Sequence, residues 1–256
     1  MCSSLVLILA LGAVLAEQQP VDNEVNTEVI ENNDELFRKI YPTWIPTPSD
    51  TRDDLAKVLL LTDYVNKGDI EKARELSKVN LGPLKSFAGY LGVEPKHNSH
   101  LFFWFFPAQD GNAKAPLILW LQGGPGATSL FGMFTEIGPY TVQNDRLELM
   151  PNSWNQNYSL LFIDNPVGTG FSFTDAEDGY ATSQKQIADQ LYKALIQFFT
   201  IFPEQQDPPF YIAGESYAGK HIPSLAYEID RRNPSSDLWI NLKGNSIFIN
   251  YFHVTL

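Results

Sequence analysis

Cysteine is nearly absent from this sequence of 256 residues, in which Cys2 is the single example. It lies in an uncharged apolar start that continues to residue 15 and is followed by the small residue Ala16. So short an apolar run does not span a bilayer and is typical of a cleaved signal peptide, which we place at residues 1–16. The cleaved chain then has no cysteine with which to form an intramolecular disulfide.

Long apolar segments and positive charge are also lacking. After residue 16 no stretch reaches the roughly eighteen apolar residues that mark a membrane-spanning helix, so we expect no membrane association once the signal is removed. Lys and Arg number 18 against 30 Asp and Glu, which gives a formal charge of −12. An acidic surface argues against nucleic acid and anionic membranes as partners.

Apolar residues make up 44% of the chain and aromatic residues 13%, which is enough to bury the core of one large domain. The segment Asn157-Tyr158-Ser159 is an acceptor sequence for N-glycosylation at Asn157. Together with the signal peptide it favours the secretory pathway and a secreted or lysosomal protein. The composition leaves the oligomeric state open.

The chain divides into segments that differ in composition and in predicted secondary structure. After the signal peptide, residues 17–80 begin polar and acidic and are interpreted as a leader or propeptide-like segment. Within it, helical spacing predicts two short helices, Asp53 to Asn66 and Asp69 to Val79. Residues 81–244 are expected to form the main domain, and residues 245–256 a divergent tail.

Short apolar runs bounded by Gly, Pro or Asn predict buried strands at Leu101 to Phe106, Leu117 to Leu121, Leu160 to Ile163 and Phe210 to Ala213. Between the last two runs lies a long amphipathic helix, with apolar positions from Ile187 to Phe202, which Pro203 ends. The order strand, helix, strand predicts an α/β fold with a largely parallel sheet.

The sharpest motif occupies residues 211–219, YIAGESYAG. An apolar strand runs into a turn of small residues with Ser216 at its apex, and helical spacing follows from Ile222. This pattern predicts the nucleophile elbow of an α/β-hydrolase fold, in which the turn lifts the serine hydroxyl clear of the sheet. The backbone N–H of Tyr217 then faces the space where an oxyanion would form.

A second glycine-rich loop, residues 120–126 (WLQGGPG), leaves the strand that ends at Leu121. In hydrolases of this fold a backbone N–H from an earlier loop completes the oxyanion hole. Gly124 is the natural donor, because it has no Cβ to hinder a substrate carbonyl. The loop lacks the Gly-Lys-Ser/Thr ending of a phosphate-binding loop, which excludes a nucleotide site. We expect no cofactor and no metal.

Three motifs together resemble the serine carboxypeptidase family, of carboxypeptidase Y type: residues 120–126, residues 164–172 (DNPVGTGFS) and residues 214–219. The resemblance runs from about Leu81 to Gly244 and is closest to the vitellogenic-like carboxypeptidases, which have glutamine where this chain has Gln122. It implies that Ser216 is the nucleophile, with the amides of Gly124 and Tyr217 as oxyanion donors.

The same resemblance implies a binding site for the free carboxylate at the C-terminus of a peptide or protein substrate. Glu136 and Glu215 match two acids of that site, Gln122 belongs to the same network, and Trp120 supports Gln122. Carboxyl groups at hydrogen-bond distance from a carboxylate must be partly protonated, because like charges raise one pKa. The implied function is a serine-type carboxypeptidase that releases C-terminal residues through an acyl-enzyme at acid pH.

A catalytic triad on this fold needs an Asp and then a His after the nucleophile. In the family both lie far downstream of Gly244, where the resemblance ends. We therefore expect the α/β-hydrolase fold to be truncated after the nucleophile-bearing half of its sheet and the triad to be incomplete. His221 is expected at the surface or in the substrate cleft. A triad improvised from Asp237 and His253 is not expected, because an unrelated tail rarely supplies hydrogen-bond geometry.

Two alternative functions stay open: a secreted form that binds peptides without hydrolysing them, and an esterase or acyltransferase of the same fold. Glu136 and Glu215 argue against an ester substrate, which has no C-terminal carboxylate, but not against acyl transfer. In the tail, residues 247–249 (IFI) could add a strand beside Phe210 to Ala213, leaving an apolar sheet edge exposed.

Overall fold

A computed structural model of the chain describes residues 58–143 and 146–248. The predicted signal peptide, most of the predicted leader and the end of the tail lie outside these residues. The helices are α1 (Thr62–Asn66), α2 (Ile70–Leu76), α3 (Leu130–Thr135), α4 (Gln184–Ile201) and α5 (Ala218–Arg232). The strands are β1 (Lys78–Val79), β2 (Ser86–Glu94), β3 (Ser99–Phe106), β4 (Leu117–Leu121), β5 (Tyr140–Gln143), β6 (Arg146–Leu149), β7 (Ser159–Ile163), β8 (Phe210–Glu215) and β9 (Leu242–Phe248).

Seven of the described strands form one mixed sheet in the order β1-β2-β3-β7-β4-β8-β9. The strands from β7 to β9 run parallel, as the alternation of strands and helices predicts. The expectation of a largely parallel sheet is wrong for β1, β2 and β3, because the pairs β1–β2, β2–β3 and β3–β7 are all antiparallel. Only the single helical turn Pro95–His97 separates β2 from β3, and so short a connection permits antiparallel pairing alone.

Both faces of the central sheet are buried, which explains its unbroken apolar runs. Along β3, Phe103 and Phe105 face a core that also contains residues of α4 and α5, whereas Trp104 and Phe106 face a second core that contains residues of α3. Because successive side chains point to opposite faces, a strand covered on both sides must be apolar at every position. The predicted strands at residues 101–106, 117–121, 160–163 and 210–213 are present.

Helix α4 begins and ends where its flanking residues predict. The side chain of Ser183 accepts a hydrogen bond from the N–H of Gln186, and the side chain of Gln186 accepts one in return from the N–H of Thr182 (2.8 Å). This exchange satisfies backbone donors that the first turn leaves free. The helix ends at Ile201, two residues before Pro203.

The two short helices near the start of the described region are shorter than predicted. Residues 58–61 are not helical: the N–H of Leu61 donates to the carbonyl of Tyr90 (2.9 Å), and the N–H of Tyr90 donates to the carbonyl of Leu59 (3.0 Å). Pairing with β2 therefore overrides the helical spacing of this segment. Helix α2 likewise ends early, because residues 78–79 pair with β2 as β1.

Part of the predicted leader packs onto the main domain. Leu61 and Ala73 have no exposed surface and belong to the core that α4 and α5 share with the sheet. Residues 58–80 therefore contribute to the same core as the domain that was predicted to begin at residue 81. Removal of any part of residues 17–80 on maturation stays a prediction.

Strand β9 lies at one side of the described sheet, next to β8. The strand predicted at residues 247–249 is present as far as Phe248, and it begins earlier, at Leu242. Ile247 and Phe248 are 36% and 44% exposed, so this side of the described sheet presents apolar surface. Across the described ranges, every helix is too short or too polar to cross a membrane.

Candidate active site

Ser216 stands at the turn between β8 and α5. The strand ends at Glu215 and the helix begins at Ala218, so Ser216 and Tyr217 alone make the turn. Ser216 has a φ of 55°, a left-handed conformation that is unfavourable for a residue with a Cβ. The residue is exposed, and its N–H donates to the carbonyl of Phe248 (3.0 Å). This geometry is the strand-turn-helix that the motif predicts.

The glycine loop after β4 passes directly beside this turn. Because β4 and β8 are parallel neighbours, with Leu121 opposite Gly214, their carboxyl ends lie together. A Cβ on Gly123 would lie 2.8 Å from the Cβ of Ser216 and 2.9 Å from the backbone nitrogen of Tyr217, closer than real Cβ atoms approach. Only glycine fits at position 123, and Gly124 follows it with a φ of 114°.

Two backbone N–H groups near Ser216 are available to a ligand. Within the described residues, the N–H groups of Gly124 and Tyr217 donate to no backbone acceptor. Tyr217 also immediately precedes the first turn of α5, where the helix dipole favours negative charge. The arrangement is chemically suited to an anionic oxygen beside Ser216.

A chain of side-chain hydrogen bonds joins the two loops. The indole Nε1 of Trp120 donates to Oε1 of Gln122 (2.8 Å), and Nε2 of Gln122 donates to Oε1 of Glu215 (2.6 Å). Trp120 and Gln122 are buried, at 3% and 5% exposed, so neither has an alternative partner in water. The network therefore fixes the Glu215 carboxylate immediately before Ser216.

Glu136, directly after α3, completes the group of predicted substrate-binding residues. Burial, together with the neighbouring charge of Glu215, raises the pKa of Glu136 to about 7. Its Oε2 atom is buried and has no hydrogen-bond partner among the described residues. A carboxyl group with this pKa is protonated in mild acid and can then donate a hydrogen bond to another carboxylate.

The third motif forms the loop after β7, at the same edge of the sheet. Asp164, its first residue, is 1% exposed and accepts hydrogen bonds from the Thr128 hydroxyl (2.6 Å), the Ser129 N–H (2.9 Å) and the Phe171 N–H (2.9 Å). Thr128 and Ser129 belong to the segment that follows the glycine loop. The sequence motif alone gives no role to Asp164 or Ser129.

The serine carboxypeptidase family, S10, matches residues 78–251, which is more than half of the chain and includes all three motifs. The chain belongs to the serine carboxypeptidase family. The predicted family is thereby confirmed. The match begins at Lys78, in agreement with the packing of β1 onto the sheet.

Several named members of the serine carboxypeptidase family are close in sequence. The probable serine carboxypeptidase CPVL of Homo sapiens is 50% identical over 222 residues, which are 85% of this chain and 46% of that protein. The vitellogenic carboxypeptidase of Aedes aegypti is 47% identical over 75% of this chain and 41% of that protein, and the venom serine carboxypeptidase of Apis mellifera is 45% identical over 82% and 46%. The chain spans about half the length of these relatives.

A solved member of the family has the same architecture. The prohormone-processing carboxypeptidase Kex1(Δ)p of Saccharomyces cerevisiae superposes with a TM-score of 0.62 at 30% identity, over 68% of this chain and 43% of that one. This similarity confirms the predicted α/β-hydrolase fold.

Of the other residues considered for a triad of the serine carboxypeptidase type, the two that the structure describes, His221 and Asp237, form no hydrogen bond with Ser216. His221 is 1% exposed, which corrects its predicted surface or cleft position, because α5 turns this side chain into the domain. Its Nδ1 lies 3.1 Å from Oε1 of Gln184. Asp237 precedes β9, at the end of the sheet opposite Ser216, since β8 and β9 are parallel. His253 lies outside the described residues.

The predicted glycosylation site lies on the surface. Asn157 is exposed, immediately after the helical turn Trp154–Gln156. The Ser159 hydroxyl is buried at the start of β7, where it accepts a hydrogen bond from the N–H of Ala108 (3.2 Å). Attachment of a glycan at Asn157 stays a prediction.

Proposed function

We propose that this chain forms the nucleophile and carboxylate-binding region of a serine-type carboxypeptidase that releases C-terminal residues from peptides at acid pH. The observation that carries the proposal is the hydrogen-bonded chain from Trp120 through Gln122 to Glu215, which ends one residue before Ser216. A network of this kind binds a free carboxylate only when one of its acids is protonated.

The chemistry follows from the groups around Ser216. Its Oγ would attack the last peptide carbonyl, while the amides of Gly124 and Tyr217 would hold the oxygen that becomes negative. Loss of the terminal amino acid leaves an ester on Ser216, which water then hydrolyses. The hydroxyl proton must pass to a general base, which in triads of this kind is a histidine.

Glu136 would orient the substrate and set the pH range. With its pKa at about 7, it is protonated in mild acid and can share its proton with the substrate carboxylate. Above that pH, the substrate would meet two negative charges, on Glu136 and Glu215. Binding and turnover should therefore both decline as pH rises.

The experiment that tests this function compares two peptides of identical sequence, one with a free C-terminal carboxylate and one amidated. The chain should bind the free acid at pH 5 at least about tenfold more tightly than the amide, since the amide replaces one acceptor oxygen of the carboxylate with an N–H₂ donor and carries no charge. The protein at its natural full length should release the last residue of the free acid, and Ser216→Ala should abolish release. Equal affinity for both peptides would refute the proposal.

One observation favours a second function, binding of peptide C-termini without hydrolysis. In the described ranges, no histidine forms a hydrogen bond with Ser216, although the hydrogen bonds from Trp120 through Gln122 to Glu215 are formed. A fluorophosphonate probe separates the two functions. Labelling of Ser216 indicates hydrolysis, whereas peptide binding without labelling indicates a binding protein.

We also infer that the protein enters the secretory pathway and carries a glycan on Asn157. The apolar start at residues 5–15 and the exposed acceptor asparagine support this inference. Treatment of the natural protein with a peptide N-glycosidase should lower its mass by one glycan and convert Asn157 to aspartate. An unmodified Asn157 in protein recovered from its source would contradict it.

A further inference from the structure

The loop that begins at Asp164 lies beside the site, and the proposed chemistry leaves it without a role. Asp164, the first residue of this loop, is 1% exposed. Three hydrogen-bond donors from two different loops converge on its carboxylate. A buried carboxylate needs its hydrogen bonds to offset the loss of water. Removing one of the three donors, or the carboxylate itself, should therefore lower the stability of these loops.

The first two of these hydrogen bonds lead to the carboxylate-binding network. Oδ1 of Asp164 accepts from the Thr128 hydroxyl and from the Ser129 N–H. The Ser129 hydroxyl in turn donates to the carbonyl of Ile163 (2.6 Å) and accepts from the N–H of Gln122 (3.2 Å). Gln122 then donates to Glu215. A continuous chain therefore runs from Asp164 through Ser129 and Gln122 to Glu215.

The third hydrogen bond fixes the loop on the other side of Asp164. Oδ2 accepts from the N–H of Phe171, and the Ser172 hydroxyl donates to the Asp164 carbonyl (2.6 Å). Gly170 has a φ of 53°, and a Cβ there would overlap Oδ2. The glycine is thus required for the loop to close over the carboxylate.

We propose that Asp164 is a positioning residue, which holds the backbone of Gln122 and Ser129 in place and thereby sets the geometry of the carboxylate-binding network. It does not touch the substrate. The carboxylate is the only group of its size that offers two oxygens and no donor, as the three converging donors require. An asparagine at position 164 would turn an N–H₂ group toward at least one of them.

Strand β7 supplies a matched control. Asp164 follows its carboxyl end, and Asn155 precedes its amino end, away from Ser216. Asn155 is likewise fully buried, and its Nδ2 atom donates to the carbonyls of Phe106 (3.2 Å), Pro107 (3.0 Å) and Tyr158 (3.1 Å). The isosteric changes Asp164→Asn and Asn155→Asp therefore disturb two buried anchors of similar size at opposite ends of one strand.

The test uses amide hydrogen exchange and peptide binding on the whole chain. Asp164→Asn should speed exchange of the Gln122 and Ser129 amides by about fivefold or more over Asn155→Asp, because an N–H₂ group replaces one acceptor oxygen and faces at least one of the donors that hold the two loops together. It should also lower the ratio of free-acid to amide affinity by about fivefold, whereas Asn155→Asp should leave the ratio unchanged. If Asp164→Asn does not fold, Ser129→Ala interrupts the same chain and should give both effects.

The second readout rests on the proposed function, whereas the exchange readout does not. If the unsubstituted chain shows no preference for the free acid, the proposed function fails and the exchange rates still decide the role of Asp164. Unchanged exchange at Gln122 and Ser129 in a folded Asp164→Asn chain would overturn the proposal. Equal effects of Asp164→Asn and Asn155→Asp on both readouts would overturn it as well, since they would indicate general loosening.

Discussion

Gln122 donates a hydrogen bond to Glu215 at 2.6 Å across 93 residues of sequence. The same side chain accepts from the buried indole of Trp120, so one amide group satisfies a donor on one side and a carboxylate on the other. A side chain with both a donor and an acceptor is needed at this position. An acid would repel Glu215, and an apolar residue would leave both neighbours unpaired.

Gln122→Met should therefore cost stability as well as binding. Methionine has a similar length but cannot accept from Trp120, and a buried donor left unpaired costs about 1–3 kcal/mol of unfolding free energy. Denaturant titration of the chain measures this loss. Gln143→Met, at an exposed position of β5, is the control and should change stability by less than about 0.5 kcal/mol. A Gln122→Met chain as stable as the control would show that the network contributes no stability.

The acid pair gives a second prediction, for pH. The pKa of Glu136 in the folded chain, about 7, lies above its ordinary value of 4.5. The stability associated with this group is therefore fully present below pH 4.5 and is lost as pH rises to 7. Glu136→Gln, which stays neutral, should remove this pH-dependent decline.

Peptide binding provides the matching readout. Above pH 7, affinity for the free-acid peptide should fall by up to about tenfold per pH unit, as Glu136 ionises. Glu136→Gln should give a nearly flat profile, whereas Glu148→Gln, an exposed acid on β6, should leave the profile unchanged. A declining profile that survives Glu136→Gln would assign the pH dependence to another group.

The strained turn gives a third prediction. Ser216 has a φ of 55°, so a glycine there removes a steric cost that alanine retains. Ser216→Gly should unfold with a free energy up to about 1 kcal/mol above that of Ser216→Ala. Ser236 has an extended backbone, with a φ of −92°, and there the order of the glycine and alanine variants should be reversed. The same order at both positions would indicate that the turn at Ser216 is unstrained.

The sequence predicts the central strands well because their environment is simple. Residues 117–121 are all buried. A short apolar run bounded by Pro116 and Gln122 is typical of a strand that is buried on both faces. The segment around Leu61 was harder to predict. Its apolar spacing suits a helix, and only pairing with Tyr90, distant in the sequence, makes it extended.

The candidate site was predictable to a similar extent. Local patterns at the ends of strands predict Ser216 and Gly124, and the family resemblance adds Gln122. The contacts of Asp164 with Thr128 and Ser129 have no such local signal, since they join two loops that meet only when β4 and β7 pair. The burial of His221 likewise depends on how α5 packs rather than on its neighbours in sequence.

Two glycines near Ser216 give the fourth prediction, with opposite outcomes. A Cβ at Gly123 would meet Ser216 and backbone atoms of Glu215 and Tyr217, within 2.9 Å, and none of these is a flexible side-chain end. Gly123→Ala should destabilise the chain by about 1–3 kcal/mol and weaken free-acid binding. At Gly219, inside α5, a Cβ would meet only Ile247, at 3.4 Å. Gly219→Ala should therefore be neutral or stabilise by up to about 1 kcal/mol. Similar losses in both variants would mean that the loops do not pack as closely as the structure has them.

His221 gives the last prediction, with a pH dependence opposite to that of Glu136. Burial, and secondarily the charge of Lys220, lowers the pKa of His221 from 6.5 to about 4. Because the unfolded chain takes up this proton first, the stability from His221 is present above pH 6.5 and is lost as pH falls to 4. The loss should amount to about 3 kcal/mol by pH 4, since one pKa unit corresponds to about 1.4 kcal/mol.

Thermal or denaturant unfolding between pH 7 and pH 4 measures this loss. His221→Gln should remove it, because glutamine keeps a neutral amide near Gln184 and binds no proton. Lys220→Met should reduce the loss only slightly, because burial is the larger cause of the lowered pKa. An unchanged slope in His221→Gln would mean that His221 is protonated in the folded chain as readily as in the unfolded one. An equal effect of the two variants would instead make the charge of Lys220, and not burial, the dominant cause.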